Sequence, residues 1–585
     1  MYRIKEQLLS LACIFAMLIV FFAAVPANAE NNGVAVTPGM GWSSWSYFKS
    51  STDLNESVVK AEAQVMASQL KASGYVYVNI DDYYYLNPNN TVDAYGRWVP
   101  DPGRFPGGMA ALGSYIHSLG LKFGLYVTPG IPYGAVSQNT PIQGTSYHAR
   151  DIADTTRSEP HYGPGSMYYI NYSKPGAQQF INSWANLFAS WGVDYIKLDG
   201  IGDGNIPDLQ AWSSALVQTG RPILLAIANT LDPNNASVWK QYANSWRIDG
   251  DVECYCSTLV MWSSVPGRMS DAPRWAQAAG PGGWNDLDSI NVGNGTIDGL
   301  TNTERQTAFT FWALEASPLM IGDDLRQLDS YGLSLLTNGE VIAVDQAGVV
   351  AVPVNAGIPQ QVWTSRQPDG TYAVGLFNLS DTATSNVTVY WSSLGFTGSG
   401  AVRDLWSRTN LGTFQNSFTA SVAPHASRLL KVSAQPLTPL ANGTYTLTPG
   451  NATGSRLDAA GGGTSNGKEV DIWPSNNQSN QKWIFTNMGS GMYKIQPSYA
   501  TGLALDVYGG NSAAGATVNL WQDNGGQSQR WSVIANSNGT FKLTPQCAPG
   551  MMLDVYNGNT AAGTLVETWY DNGAPNQQWG IHSAQ

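Results

Sequence analysis

The sequence predicts a multidomain chain in which a (β/α)8 barrel precedes a small antiparallel β domain and a three-fold repeat. Three observations predict this order. Strand-like runs alternate with amphipathic helical runs between residues 36 and 346, short alternating strands follow from about 350 to 432, and residues 444–585 repeat themselves. A chain of 585 residues is also too long for one ordinary domain.

Eight strand candidates divide the first region. Strand–helix alternation implies a parallel sheet with right-handed crossovers, and eight units in about 300 residues suit a (β/α)8 barrel over 30–348. Helix patterns lie between the strands, as at 56–74, 178–192 and 304–316. The strand candidates are 39–45, 75–82, 121–129, 193–200, 222–229, 245–251, 282–288 and 318–324.

Acidic residues stand at the carboxyl ends of five of these strands. One such residue is easily the N-cap of the next helix, but capping alone hardly explains five strand ends. Because barrel enzymes keep their active sites at this face, the pattern predicts a pocket there. The residues are Asp81 and Asp82, Asp199, Asp249 and Asp251, Asp286 and Asp288, and Asp323 and Asp324.

Lys197 and Asp199 stand on one face of a strand whose apolar residues are Val193, Tyr195, Ile196 and Leu198. Residues two apart on a strand point the same way, and a charge in low dielectric is costly unless it is paired or used. The two residues therefore form a structural ion pair or line the pocket. The other acidic strand ends favour the pocket.

Composition limits the classes of partner. The net charge is −12 and only 12% of the residues are charged, which argues against nucleic acid because such a partner requires a basic patch. The 21 Trp and 28 Tyr suit sugars, although they suit ordinary cores as well. The five His show no metal-ligand spacing, so we predict no metal and no cofactor.

The N-terminus has the pattern of a secretory signal peptide over residues 1–29. Arg3 and Lys5 precede an apolar run at 8–25, and a small-x-small site follows at 27–29. The alternative is a single membrane anchor. We expect a secreted protein, extracellular or periplasmic, that begins at Glu30 and keeps no stable membrane anchor after cleavage.

Three cysteines lie beyond this segment and form an odd set. They are Cys254, Cys256 and Cys547. A disulfide between Cys254 and Cys256 would close a tight ring, and the sequence leaves the pairing open.

Short strands and turns replace the helical pattern in residues 349–433. The turn signal "PDG" at 368–370 joins two strand candidates, which indicates an antiparallel β-sandwich that serves as a structural cap on the barrel. Residues 434–443 contain two Pro and are typical of a linker.

Residues 444–585 contain three copies of one pattern, each 48 residues apart. Four features in one register indicate a repeat architecture. The Gln-x-Trp triplets are typical of core and turn positions, whereas the Asp, Trp and Asn set suits a sugar, with an acceptor, an aromatic face and an amide. The features are Leu-Asp at 457–458, 505–506 and 553–554; Trp473, Trp521 and Trp569; Asn476, Asn524 and Asn572; and Gln-x-Trp at 481–483, 529–531 and 577–579.

These last 142 residues resemble ricin-B-type lectin domains, the family 13 carbohydrate-binding modules. The resemblance implies a β-trefoil with up to three sugar pockets. In the second pocket Ser528 replaces an amide, which puts its affinity in question. The pockets carried over are Asp458, Trp473, Asn476, Asn480 and Gln481; Asp506, Trp521, Asn524 and Gln529; and Asp554, Trp569, Asn572, Asn576 and Gln577.

Residues 36–432 resemble the melibiase-type α-galactosidases of glycoside hydrolase family 27. The motifs, in order, are "GMGWSSW", "NIDD", "DYIKLDG", "SWRIDGD" and "AGPGGWNDLD". The resemblance implies a retaining mechanism with Asp199 as nucleophile and Asp251 as acid/base. It also implies that the sugar site is lined by Trp45, Asp81, Asp82, Tyr126, Lys197, Arg247 and Asp288.

The charges near the two carboxyl groups fit these roles. Lys197 favours the ionised form of Asp199, and like charges on Asp249 and Glu253 would favour a protonated Asp251. Asp249 is the rival for the acid role because it is two residues from Asp251.

The sequence departs from the family pattern at two places. Tyr83 and Ile201 stand where many relatives have a disulfide, and Ala226 and Ala228 stand where relatives use an acid to bind the sugar 2-hydroxyl. The family's arabinopyranosidases lengthen the second acid of the "DD" pair, whereas Asp82 is the short form, so galactose should fit.

We expect an enzyme that removes terminal α-D-galactosyl residues from oligo- or polysaccharides. The alternatives are a β-L-arabinopyranosidase, an α-N-acetylgalactosaminidase or an α-glucan-active enzyme on the same scaffold. A carbohydrate-binding protein with an inactive barrel disagrees with the intact Asp199 and Asp251. The natural polymer and the oligomeric state stay open.

Overall fold

Eight parallel strands form the first sheet of the computed structural model, which describes residues 32–49, 53–396, 399–434, 440–489, 491–536 and 539–584. The predicted signal peptide (1–29) and residues 435–439 of the predicted linker lie outside these ranges. Among the described residues, no helix is both long and apolar enough to cross a membrane.

The eight strands pair in chain order around a ring. An isolated parallel bridge between Ile290 and Ile321 joins the region after β7 to β8 and completes the ring. The predicted (β/α)8 barrel is confirmed. The strands are β1 (Met40–Ser43), β2 (Tyr77–Ile80), β3 (Lys122–Val127), β4 (Val193–Asp199), β5 (Leu224–Ala228), β6 (Ser245–Arg247), β7 (Trp284–Asp286) and β8 (Leu319–Ile321).

Amphipathic helices connect successive strands. In Ala177–Ser190, for example, Phe180, Trp184 and Phe188 recur at four-residue spacing and are all buried, which is how a surface helix packs on a barrel. The connecting helices are Glu56–Val65 (continued by a π-helix at Met66–Leu70), Met109–Ser118, Ala177–Ser190, Ile206–Gln218, Ala236–Tyr242, Ser264–Asp271 and Asn302–Leu314, and Ser330–Leu336 and Gly339–Gln346 follow β8.

A small antiparallel sheet interrupts the connection after β3. Its strands are Ile131–Pro132, Ala153–Glu159 and Met167–Ile170. The turn between the last two carries Tyr162 to the carboxyl end of the barrel, where it lines the main cavity.

The second domain is an antiparallel β-sandwich, as predicted. It packs against Asn302–Leu314, where Thr307 Oγ1 donates to the His425 carbonyl at 2.8 Å and Trp406 Nε1 donates to Thr310 Oγ1 at 2.8 Å. This helix is almost wholly buried between two domains. The strands are Val352–Asn355, Gln360–Arg366, Tyr372–Asn378, Ser427–Ala434, Ser399–Asp404 and Thr409–Gln415 in one sheet, and Ser385–Tyr390 and Ser417–Val422 in the other.

The three repeats form a β-trefoil, which confirms that prediction. The Trp of each Gln-x-Trp triplet is fully buried, and its Nε1 donates at 2.9–3.0 Å to the carbonyl of the Leu in the Leu-Asp pair of the same repeat. Six strands close a barrel: Gly443–Pro449, Trp483–Gly489, Met492–Pro497, Trp531–Ala535, Phe541–Pro545 and Trp579–Ser583. Six others pair beside it: Ser455–Ala459, Lys468–Pro474, Leu503–Val507, Ala516–Gln522, Met551–Val555 and Thr564–Tyr570.

Candidate active site

A cavity of about 260 Å³ opens at the carboxyl ends of the barrel strands. Parallel strands all end at this face, so their terminal side chains converge there. Seven of the nine barrel residues expected to form the site line the cavity: Trp45, Asp81, Asp82, Tyr126, Lys197, Asp199 and Asp251. The other two, Arg247 and Asp288, line a smaller space of about 20 Å³ that shares Lys197 with the cavity.

Asp81 follows β2 and is held by neighbours on both sides. Lys197 Nζ lies 2.9 Å from Asp81 Oδ2, and Ser43 Oγ donates to the same oxygen at 3.1 Å. Both charged groups are largely buried, so their attraction is little screened by solvent. Lys197 therefore forms an ion pair and also lines the cavity. Its partner in the ion pair is Asp81 rather than Asp199.

Asp82 has one satisfied and one unsatisfied oxygen. Tyr85 Oη and the Tyr83 backbone N–H donate to Oδ1, each at 2.7 Å, whereas Oδ2 is buried without a hydrogen-bond partner among the described residues. Burial, assisted by the nearby Asp81 and Asp199, raises the pKa of Asp82 to about 7. A buried oxygen of this kind needs a hydroxyl donor in the cavity.

Asp199 is the last residue of β4. Its Oδ1 accepts from the Gly200 N–H at 2.8 Å. Burial raises the pKa of Asp199, while Lys197 acts in the opposite direction, as the sequence suggested. Lys197 thus lowers the pKa of Asp199, but by less than burial raises it.

Asp251 is held by a cation, which corrects the expectation that its acidic neighbours keep it protonated. Arg247 Nη2 lies 2.9 Å from Asp251 Oδ1, and the Tyr255 hydroxyl donates to Oδ2. Although burial opposes the change, Arg247 and Tyr255 lower the pKa of Asp251 to about 2. The same guanidinium is 3.0 Å from Asp288 Oδ2.

The other acidic strand ends have local structural partners. Asp249, the rival of Asp251, pairs with Arg268 at 2.9 Å and does not line the cavity. Asp323 accepts from the backbone of residues 292 and 293, and Asp324 pairs with Arg326 at 2.7 Å.

Three carboxylates beside the cavity are close enough to share a cation. Oxygens of Asp251, Glu253 and Asp288 all lie within 4.8 Å of one another. The Arg247 guanidinium already contacts Asp251 and Asp288 at 2.9 and 3.0 Å, so a resident positive charge compensates this cluster.

The trefoil pockets place an aspartate beside an aromatic ring in each repeat. In the first and third repeats both oxygens of Asp458 and Asp554 accept from the amides of Asn480 and Asn576 at 2.8–2.9 Å. In the second repeat Ser528 Oγ donates to a single Asp506 oxygen at 2.9 Å.

The conserved geometry of the three loops comes from Gln481, Gln529 and Gln577. Each is buried, and its Oε1 accepts at 2.9–3.0 Å from the backbone N–H of Asn476, Asn524 or Asn572. These glutamines shape the loops rather than present atoms to solvent. The side chains of Trp473 and Trp569 are 45% and 41% exposed, which leaves their faces free for stacking.

A cavity of about 640 Å³ lies in the second trefoil repeat, between Asp506 and Trp521. Cys547 lines it, at the repeat position where Tyr499 donates to the Gly463 carbonyl in the first pocket, at 2.6 Å. Two small residues, Cys547 and Ser528, therefore replace a tyrosine and an asparagine.

Family models match three successive parts of the chain. The model described as alpha galactosidase A matches residues 37–154 and 166–347. The chain belongs to the melibiase family of α-galactosidases. Further models match 358–432, described as the alpha galactosidase C-terminal beta sandwich domain, and 434–521, 498–569 and 527–585, described as ricin-type beta-trefoil lectin domain-like.

Relatives of this chain match it over the barrel and the sandwich. A rice α-galactosidase is 32% identical over 69% of this chain and 86% of its own. The structure of a family 27 β-L-arabinopyranosidase from Geobacillus stearothermophilus is 34% identical, with TM-score 0.64 over 70% of this chain and 99% of its own. The structure of α-galactosidase I from Mortierella vinacea is 29% identical, with TM-score 0.57 over the same shares. The chain is thus a glycoside hydrolase of the α-galactosidase type.

Four cavity residues escaped the sequence reasoning: Tyr162, Asn229, Gly250 and Tyr255. Asn229 was detectable, because it directly follows Ala228 at the end of β5, where an acid was sought and not found. Its φ of 137° is unusual for a residue other than glycine. Tyr162 and Tyr255 lie on loops, where no strand periodicity gives a side-chain direction.

The structure shows how the three cysteines beyond the predicted signal peptide pair. Cys254 and Cys256 form a disulfide, and Cys547 is a free, half-buried thiol. The sequence left this pairing open, and the structure decides it in favour of the tight ring. At the positions where many relatives have another disulfide, Tyr83 stacks on Trp45 and Ile201 is buried.

Proposed function

We propose that this protein is a secreted, retaining exo-glycosidase that removes terminal α-D-galactosyl residues from oligo- or polysaccharides. The observation that carries the proposal is that Asp199 and Asp251, from two different strand ends, line one cavity. The cavity is smaller than the 300–1,000 Å³ typical of sites for larger ligands, which suits a single terminal sugar. Secretion is supported by the N-terminal pattern and by a disulfide, which persists in oxidising compartments.

The proposed reaction has two steps. Asp199 attacks the anomeric carbon while Asp251 gives a proton to the leaving oxygen, and a glycosyl ester of Asp199 forms. Asp251, now ionised, then takes a proton from the water that hydrolyses the ester. Asp81 and Lys197 offer an acceptor and a donor to sugar hydroxyls, and Asp82 Oδ2 accepts from a third.

The charges of the site create a rival assignment. Arg247 favours the ionised form of Asp251, and burial favours the protonated form of Asp199, which is the reverse of the proposed first step. The proposed roles rest on the sequence motifs. The ionised state of Asp251 suits the second step, where this residue acts as base.

Azide rescue separates the two assignments. With Asp199→Gly, azide should restore turnover of a nitrophenyl α-galactoside and give the β-galactosyl azide, because it replaces the nucleophile. With Asp251→Ala, azide should attack the glycosyl ester and give the α-galactosyl azide. If the two variants give the opposite products, the roles are exchanged.

A second candidate function is β-L-arabinopyranoside hydrolysis. It is supported by the likeness to the Geobacillus β-L-arabinopyranosidase, 34% identical over 70% of this chain. The short Asp82 favours galactose, because a longer acid would occupy the space of the sugar's hydroxymethyl group. A panel of nitrophenyl glycosides, including the N-acetylgalactosaminide, compared by kcat/KM decides between them.

We propose that the trefoil binds the polysaccharide on which the barrel acts. The support is that each repeat carries an aspartate, a Trp and a loop amide at the same positions, with Trp473 and Trp569 exposed and Trp521 half-buried beside a cavity. Asn476, Asn524 and Asn572 cap their own loops through Oδ1, which fixes where their amide nitrogens lie. Deletion of this domain tests the proposal, as described below.

A further inference from the structure

Tyr255 occupies a constrained place in the loop after β6. It is the single residue between the two cysteines of the Cys254–Cys256 disulfide, and its φ is 48°. This left-handed backbone conformation is unfavourable for a residue with a Cβ, and disulfide closure reduces the number of alternatives open to it.

The base of the loop is fixed to the barrel. Glu253 and Val260 form an antiparallel bridge, and the Cys254 N–H donates to the Leu259 carbonyl at 3.0 Å. Leu259 in turn donates to the carbonyl of Ile297 at 3.0 Å. The tip of the loop, with Tyr255, is closed by the disulfide.

The Tyr255 side chain links three groups at the cavity mouth. Its hydroxyl donates to Asp251 Oδ2 and accepts from Trp45 Nε1 at 3.2 Å, and Lys49 Nζ lies 5.5 Å from its ring centre. Burial and the bond to Asp251 raise the pKa of the phenol, so the hydroxyl stays a donor. The carboxylate of Asp251 is thus held at Oδ1 by Arg247 and at Oδ2 by Tyr255.

We propose that Tyr255 is a positioning residue for Asp251, and that the Cys254–Cys256 disulfide is the clamp that keeps its hydroxyl in place. The proposal rests on the proposed function of Asp251 as acid/base. Without the hydroxyl, Asp251 keeps Arg247 but can rotate about that contact, and proton delivery to the leaving oxygen suffers. Substrates whose leaving group needs a proton should therefore lose most.

The test compares two leaving groups in Tyr255→Phe. We expect kcat/KM for methyl α-galactoside to fall about 10- to 100-fold, the range of one hydrogen bond to a charged group, and that for 4-nitrophenyl α-galactoside to fall much less. Tyr83→Phe is the matched control. It also removes the hydroxyl of a tyrosine that packs on Trp45, but this hydroxyl donates to the Tyr162 carbonyl and not to Asp251. Its effect should be equal on both substrates.

The clamp is tested by reduction. A dithiol transfers two electrons and two protons to the disulfide, which gives two cysteine thiols and the cyclic oxidised reagent. The reduced protein, with two new thiols counted by alkylation and mass, should show the same leaving-group-dependent loss, and so should Cys254→Ser/Cys256→Ser without reductant. Cys547→Ser should respond to the dithiol as the unaltered chain does.

Two results overturn the inference. One is an equal loss, or none, on both substrates in Tyr255→Phe, and the other is unchanged kinetics after complete reduction. Failure of the proposed function is distinguishable, because an enzyme without acid/base catalysis by Asp251 would show no leaving-group dependence and no α-galactosyl azide in Asp251→Ala.

Discussion

The barrel cavity and the trefoil pockets both present aspartates beside aromatic rings, and they differ in what the aspartate oxygens contact. In the cavity, Asp81 and Asp251 face the cations Lys197 and Arg247, and Asp82 Oδ2 has no described partner. In the trefoil, both oxygens of Asp458 accept from the amide of Asn480.

This difference teaches how one residue type serves two purposes. Arg247 and Tyr255 lower the pKa of Asp251 to about 2, whereas burial raises the pKa of Asp82 to about 7, so charge and burial give the carboxyl groups of one cavity different protonation behaviour. A neutral amide fixes an aspartate without supplying charge, which suits reversible binding of hydroxyls. Hydrolysis by the barrel and polysaccharide binding by the trefoil should therefore be separable by mutation.

The largest expected effect separates the two regions by mutation. Asp199→Ala should lower kcat roughly 10⁴-fold or more, since nucleophile removal has effects of that order, while binding to insoluble galactose-bearing polysaccharide stays unchanged. Deletion of 436–585 should reduce binding to the polysaccharide and keep hydrolysis of small substrates within about twofold of the full chain, because the trefoil has its own core. Hydrolysis assays and polysaccharide pull-down measure both.

The combined substitution of Trp473, Trp521 and Trp569 by Ala is the control that keeps the trefoil folded, since these rings lie outside its core. It should reduce binding as the deletion does. A deleted enzyme that still binds the polysaccharide as well as the full chain would contradict the separation.

An intermediate effect concerns substrate choice within the barrel. Asp82→Glu adds a methylene where the hydroxymethyl group of galactose should lie, so kcat/KM for the α-galactoside should fall about 10- to 100-fold and that for the β-L-arabinopyranoside should fall less. Asp82→Asn keeps the size and should leave the ratio of the two unchanged. A wild-type preference for the arabinopyranoside would reverse the proposed specificity.

The smallest expected effect is on the stability of the barrel. It comes from the buried carboxyl group of Glu159. Burial raises the pKa of Glu159 to about 7 from a usual value near 4.5, with a contribution from Asp208. The folded state thus holds this proton more tightly than the unfolded state. The stability that the protonated Glu159 contributes to the folded state is complete below about pH 4.5 and is lost as the pH rises through 7.

Glu159→Gln should remove this dependence. The amide keeps an oxygen for the Asn205 side chain, which donates to Glu159 Oε2 at 2.6 Å. We expect the barrel Tm of the variant to exceed that of the wild type by roughly 2–4 °C at pH 8, the shift for about 1 kcal/mol, and by less at pH 5. An equal gain at both pH values, measured by calorimetry, would assign the effect to something other than titration.

Much of the site could be predicted because strands impose direction. Asp81, Lys197 and Asp199 lie within or directly after strands, where alternation and the shared carboxyl edge place them in one cavity. Asp249 and Asp251 follow β6 in a loop, so their directions depend on Arg268 and Arg247 from other positions. The charge environment of Asp251 was predicted wrongly for the same reason.

The sequence by itself determined the order of the domains, the strand ends of the barrel and the three-fold repeat, since all three are periodic and periodicity is a local property of the chain. Only the tertiary structure decided which acids face the cavity, that Lys197 pairs with Asp81, and that Cys254 bonds Cys256. These outcomes depend on contacts between residues far apart in the chain or on loop conformation, and neither leaves a periodic trace in the sequence.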